Sequence, residues 1–212
     1  MRGRGSFRQD RRTIRGRPIR LYRVASGVLP YVPPDSPGEA ATNTPPSIQP
    51  IASGKLFRVV SPPEQATATP QLAQHLSQAL EQFAQANGFT EEKPLAISFG
   101  RGTLGLHRSN RAVDIYAVDG KGIGVWAQEW NEAVRRAAAA PNPQERESIV
   151  AEQKQRNLGY KLYKALQARG GWAQPPGYPV QLFGPWTRGE GPHKRISDRM
   201  LRAHRDHIHV AK

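Results

Sequence analysis

The sequence predicts an α+β domain: a small, mainly antiparallel sheet with flanking helices, preceded by a disordered basic and Pro-rich N-terminal region. Three observations carry this expectation. The 212 residues are 37% hydrophobic with a mean hydropathy of −0.65, too polar for the whole length to be packed core. Charge is uneven along the chain. Residues 1–24 hold nine arginines against the single acid Asp10, giving +8 of the formal +14, while the remaining residues hold 22 bases and 16 acids, giving +6. Residues 25–70 contain ten of the nineteen prolines among Ser, Thr and Ala. Such a segment buries too little apolar surface to offset its ordering entropy. Two regions follow: an Arg-rich arm with a Pro-rich linker over 1–68, and a folded domain over 69–212.

The elements of the folded part come in order. A short strand at Lys55–Val60 is an option within the linker. Leu72, Leu76, Leu80 and Phe83 recur at helical spacing within Gln71–Asn87, and Gly88 suits the end of that helix. Pro94–Phe99 reads as a strand leading into a glycine-rich loop. Ala112–Val118 is β-rich and ends on the Asp119-Gly120 turn. A helix follows over Val125–Ala140, stopped by Pro141 and Pro143. Another runs from about Asn142 to Arg169 and ends at Gly170-Gly171. Val180–Phe183 is a short strand, Ser197–His204 a short helix and His207–Ala211 the last strand. There is no internal repeat.

The chain has no cysteine, which excludes a disulfide framework and thiolate metal sites. No apolar run approaches the ~20 residues of a membrane span. The basic N-terminus lacks the apolar stretch of a standard signal peptide.

Chemistry concentrates in two segments. The first is Gly105-Leu-His107-Arg-Ser-Asn110-Arg-Ala112-Val-Asp114 and the second is Asp206-His207-Ile208-His209. They offer imidazoles and a carboxylate, the ligand types of a zinc site that keeps one position open. A loop running into a strand can bring His107 and Asp114 to one point. Asp114 lies between Val113 and Ile115, and a buried carboxylate there needs a partner that a cation supplies. In His207-Ile-His209 the strand period of two aims both imidazoles at one face. One can bind metal while the other meets the reacting groups, and Asp206 at the helix-to-strand junction can act as general base.

These segments resemble the zinc peptidases that include D-alanyl-D-alanine dipeptidases and carboxypeptidases, phage L-alanyl-D-glutamate endopeptidases and penicillin-insensitive murein endopeptidases. The first motif of that family reads approximately Ser-x-His-x-x-Gly-x-Ala-x-Asp, and His107, Ala112 and Asp114 match in register. Asn110 stands at the usual Gly and tolerates the same left-handed backbone. Gly105 stands at the usual Ser, which removes a hydroxyl. The family's second motif ends in an acid or His and then His, to which Asp206-His-Ile-His209 is similar.

The resemblance implies the hedgehog/DD-peptidase fold and Zn2+ bound by His107, Asp114 and His209. It makes Asp206 the general base and gives His207 a place beside the oxyanion. Arg101, after Ile97–Phe99 and Gly100, looks like the family arginine that binds an oxyanion or a substrate carboxylate. The implied activity is that of a zinc metallopeptidase hydrolysing peptidoglycan stem peptides or cross-links. Its place of action is the cell envelope or the exterior, reached by non-standard export or injection.

Other residues have weaker claims. Trp126 and Trp130 suit the core. Trp172 and Trp186, in Pro/Gly-rich loops, suit either packing or substrate contact. His193 and His204 read as peripheral, with His204 also placed to support a ligand from outside. The arginine arm is a solvated tail, a polyanion-binding segment or an address for a delivery apparatus. Two rival classes stand beside the hydrolase. One is a nucleic-acid or polyanion-binding protein, although no recognition helix or zinc finger is found. The other is a catalytically inactive metal-binding cell-wall adaptor.

Overall fold

The computed structural model describes residues 47–102, 105–176, 178–187 and 196–212, together with the backbone of 13–14 and 17–18. The chain divides into two units, Met1–Thr42 and Asn43–Lys212. In the first, β1 (Thr13–Ile14) and β2 (Arg17–Pro18) pair antiparallel. The rest of the arginine arm and residues 25–46 of the Pro-rich segment, with the disorder expected of them, lie outside the described residues.

The second unit is α+β. Its main sheet runs in the order β4 (Phe57–Val59), β6 (Leu95–Gly100), β7 (Ala112–Val118), β10 (Ile208–Ala211) and β9 (Leu182–Phe183), with β8 (Lys121–Gly122) hairpinned onto β7. Only the β4–β6 pair is parallel; the other pairs are antiparallel. A parallel pair needs a crossover, and α1 (Pro70–Ala86) provides it. Leu72, Leu76, Leu80 and Phe83 of α1 are buried together against Leu95, Ile97 and Phe99 of β6 in one hydrophobic core. The hairpin turn falls at Asp119-Gly120, both at positive φ.

Two expectations need correction. The folded part does not start at Thr69. A small ladder of β3 (Gln49–Pro50) with β5 (Thr67–Ala68), and β4 after it, bring 49–68 into the unit, with Ile51, Phe57, Ala66 and Ala68 buried. The prolines sit where a missing N–H costs little: Pro50 in a two-residue ladder and Pro62 and Pro63 at a 3-10 turn.

The long helix expected over 142–169 is two helices, α3 (Pro143–Arg156) and α4 (Leu158–Arg169). Asn157 divides them. Its buried side chain accepts from the Tyr160 N–H at 2.9 Å and donates to the Trp126 carbonyl at 2.8 Å, tying the break to α2 (Ile123–Ala139). The short helix α5 (Asp198–Ala203) is capped by Ser197, whose Oγ accepts from Met200 N–H. No helix among the described residues is long and apolar enough to cross a membrane.

Candidate metal centre

Strand register builds the site. Along β10, Ile208 and Val210 are buried in the hydrophobic core, as are Val113 and Ile115 of β7. The alternate residues therefore share the other face. There His209 lies directly across from Asp114, and its other neighbour is Phe183. His107 enters from the 3-10 turn Gly105–His107 that precedes β7. Asn110 closes this turn by donating its N–H to the His107 carbonyl at 3.1 Å. Its φ of +55° is left-handed backbone, which Asn tolerates better than most residues. Gly105 has φ +58°, a conformation glycine adopts freely. Gly102 packs on His107 so closely that a Cβ there would stand 2.6 Å from the ring.

The three donor atoms converge. His209 Nδ1 is 2.9 Å from Asp114 Oδ1, His107 Nε2 is 3.4 Å from the same oxygen, and the two nitrogens are 3.2 Å apart. All three residues are buried. Hydrogen bonding alone cannot satisfy this triangle. If both nitrogens carry protons for Asp114, two N–H groups face each other. If only one does, the other's lone pair faces the carboxylate. A cation at the centre satisfies all three lone pairs. The separations also match the ~3.3 Å between ligands of a tetrahedral ion bound at about 2.0–2.1 Å. His107, Asp114 and His209 thus form a group that can hold a metal ion.

Electrostatics agree with that donor chemistry. Burial disfavours the Asp114 charge, but hydrogen bonds from His107 and His209 and their charges overcome it and hold the carboxyl below the usual carboxylate range. Burial pushes His209 down, partly offset by Asp114. Metal binding requires these forms, an ionised carboxylate and a neutral imidazole. One usual feature is missing among the described residues: His107 Nδ1 is buried without a hydrogen-bond partner, where a ligand imidazole ordinarily has one.

His207 stands at the edge of this group, its Nε2 3.8 Å from Asp114 Oδ1. Asp206 does not point at the ligands. Its carboxylate accepts from His207 Nδ1 at 2.8 Å, and its side chain is 62% exposed. Arg101 is exposed just beyond Gly100, the β6 residue paired with Asp114. Register sets Gly100, Asp114 and His209 side by side across β6, β7 and β10.

Two further residues border this group, of which Tyr116 escaped sequence reasoning. His204 is half-buried, not peripheral, its ring 5.0 Å from that of His207 and 5.3 Å from that of His209. Its Nδ1 donates to the Met200 carbonyl at 2.7 Å, and burial, first among several causes, pushes its pKa down to about 4. Tyr116 follows Asp114 by one strand period, and that spacing was the signal for it. The tryptophans are packing residues. Trp172 is buried and donates to the Leu166 carbonyl, and Trp186 is buried against Tyr160 and Tyr163. His193 lies outside the described residues. Comparison with known protein families, curated proteins and solved structures finds no match to this chain.

Proposed function

We propose that this chain is a zinc-dependent peptidase of peptidoglycan, cutting an amide bond in the stem peptide or cross-link. The observation that carries the reading is the convergence of His107, Asp114 and His209 with the Asp206–His207 pair at its edge. Two imidazoles and a carboxylate without thiolate suit zinc. The choice of peptidoglycan rests on the resemblance of the two motifs to the cell-wall zinc peptidases.

When bound by these residues, zinc polarises the scissile carbonyl and acidifies water. The chain's own groups move the protons. His207 Nε2, on the side of the ring facing Asp114, accepts a proton from the attacking water and returns it to the leaving amine. Asp206 holds the Nδ1–H of that ring and stabilises its charged form. This assigns proton transfer to the pair rather than to Asp206 alone. Arg101 supplies a positive charge at the mouth for an oxyanion or a substrate carboxylate. The arm over 1–24 serves as the address by which the enzyme reaches the envelope or the exterior.

The test is metal content and muropeptide turnover on one purified sample, beside His209→Ala and Asp206→Ala. One zinc per chain with new stem-peptide fragments, both lost in His209→Ala, is the expected result. Zinc without cleavage of any muropeptide points to an adaptor and overturns the enzyme reading. Absence of zinc at near-neutral pH overturns the site.

A further inference from the structure

We infer that Tyr116 is a positioning residue that holds the His207 imidazole through its ring. Tyr116 follows Asp114 by two positions on β7 and so emerges on the ligand face of the strand. Its ring lies 5.1 Å from that of His207 at an interplanar angle of 33°, within the range of attractive aromatic pairing. Space for the ring is made by Gly100 on the neighbouring strand. A Cβ there would stand 2.4 Å from Tyr116 Cε2, and the three atoms nearest to it all belong to Tyr116.

His207 is thus contacted from several directions. Asp206 accepts from its Nδ1 at 2.8 Å, the His204 ring packs at 5.0 Å and Tyr116 leans on it. Asp206 is mostly exposed, so its hydrogen bond competes with water and is a weak restraint on its own. A hydrogen bond at one nitrogen still allows the ring to swing about the side-chain torsions. The aromatic contact removes that freedom and keeps Nε2 toward Asp114. About 40% of Tyr116 stays exposed, so the residue is a wall of the open side rather than part of the core.

The inference rests on the peptidase reading for its kinetic arm only. The experiment uses the full chain loaded with zinc, muropeptides from purified sacculi as substrate, and the variants Tyr116→Phe, Tyr116→Ala and Gly100→Ala. Tyr116→Phe keeps the ring and should hold kcat within about twofold. Tyr116→Ala should lower kcat roughly 10–100-fold with KM and zinc content unchanged, the range seen when an outer partner of a site is lost. Gly100→Ala displaces the ring without removing it and should follow Tyr116→Ala.

NMR of the His207 Cδ2–H and Cε1–H signals gives a second readout. They should be sharp in the native protein and in Tyr116→Phe, and exchange-broadened in Tyr116→Ala. Unchanged kcat and sharp His207 signals in Tyr116→Ala overturn the inference. An equal loss of kcat in Tyr116→Phe also overturns it, because the hydroxyl and not the ring is then what acts. If the native protein cleaves no muropeptide, the peptidase reading fails and the NMR arm alone decides the role of Tyr116.

Discussion

His209 faces Asp114 across the antiparallel β7–β10 pair, with its Nδ1 2.9 Å from the carboxylate Oδ1. Residues directly opposite in a ladder share a face of the sheet. Two of the three candidate ligands are therefore set by strand register, not by a mobile loop. His209→Ala should weaken zinc binding by more than about 100-fold, beyond what loss of an outer partner costs. Competition with a chelating dye measures this. Unchanged affinity would move the site away from β10.

His207 and Asp206 should separate metal binding from turnover. His207→Ala removes the group proposed to move protons, and about 10²–10⁴-fold in kcat should go with it. Asp206→Ala should cost less, because the carboxylate acts through the imidazole to which it is bonded. Both variants should keep one zinc per chain by elemental analysis. A larger loss in Asp206→Ala than in His207→Ala would restore the carboxylate as the direct base.

Much of this arrangement was legible because it rests on short-range periodicity. Asp114 between Val113 and Ile115, and His209 between Ile208 and Val210, are strand positions whose neighbours belong to the core. Their face follows from the period of two. That β10 lies beside β7 is tertiary information no local pattern contains. The direction of the Asp206 carboxylate likewise depends on the chain bend before β10. The break at Asn157 was hidden because Leu158, Leu162 and Leu166 continue an apolar helical spacing, while the signal for the break was one capping residue. The early start of the fold was hidden because composition averaged over a Pro-rich stretch conceals the four buried residues Ile51, Phe57, Ala66 and Ala68.

The metal-free domain should lose stability as pH falls from about 6.5 toward 4. His209 is held below its ordinary value, and His204 is held down to about 4, by burial above all. A folded-state pKa below the unfolded one means the unfolded chain binds more protons in that window, so stability rises with pH across it. Asp114, also lowered, adds the same sign only below the ordinary carboxylate range. Urea midpoints of chelator-treated protein from pH 4 to 7.5 test this. His204→Gln should flatten the slope, and a flat native profile would refute it.

Asn157→Ala should destabilise the domain by about 2 kcal/mol, combining a lost cap with a lost part-buried hydrogen bond to the Trp126 carbonyl. Because Asn157 joins α4 to α2 and touches no candidate ligand, zinc affinity should not change. Urea denaturation beside zinc titration checks both halves. A stability change under ~0.5 kcal/mol would mean the break is set by the chain on either side of it.

Asn110 tests the link between backbone and metal. It holds φ +55° in the turn that carries His107, and its Oδ1 is buried without a hydrogen-bond partner among the described residues. Glycine adopts that φ freely and removes the orphaned acceptor, although it adds flexibility to the unfolded chain. Asn110→Gly should therefore raise stability by about 1 kcal/mol and leave zinc affinity unchanged. Asn110→Ala also removes the acceptor, but its Cβ resists the left-handed region by about 1–2 kcal/mol. The strain is relieved only by shifting the turn, whose Asn110 N–H to His107 carbonyl bond sets where the imidazole emerges. Asn110→Ala should thus weaken zinc binding while Asn110→Gly does not. Equal zinc affinity in the two variants would show that the His107 position is fixed from elsewhere, with the close packing of Gly102 on its ring the next contact to alter.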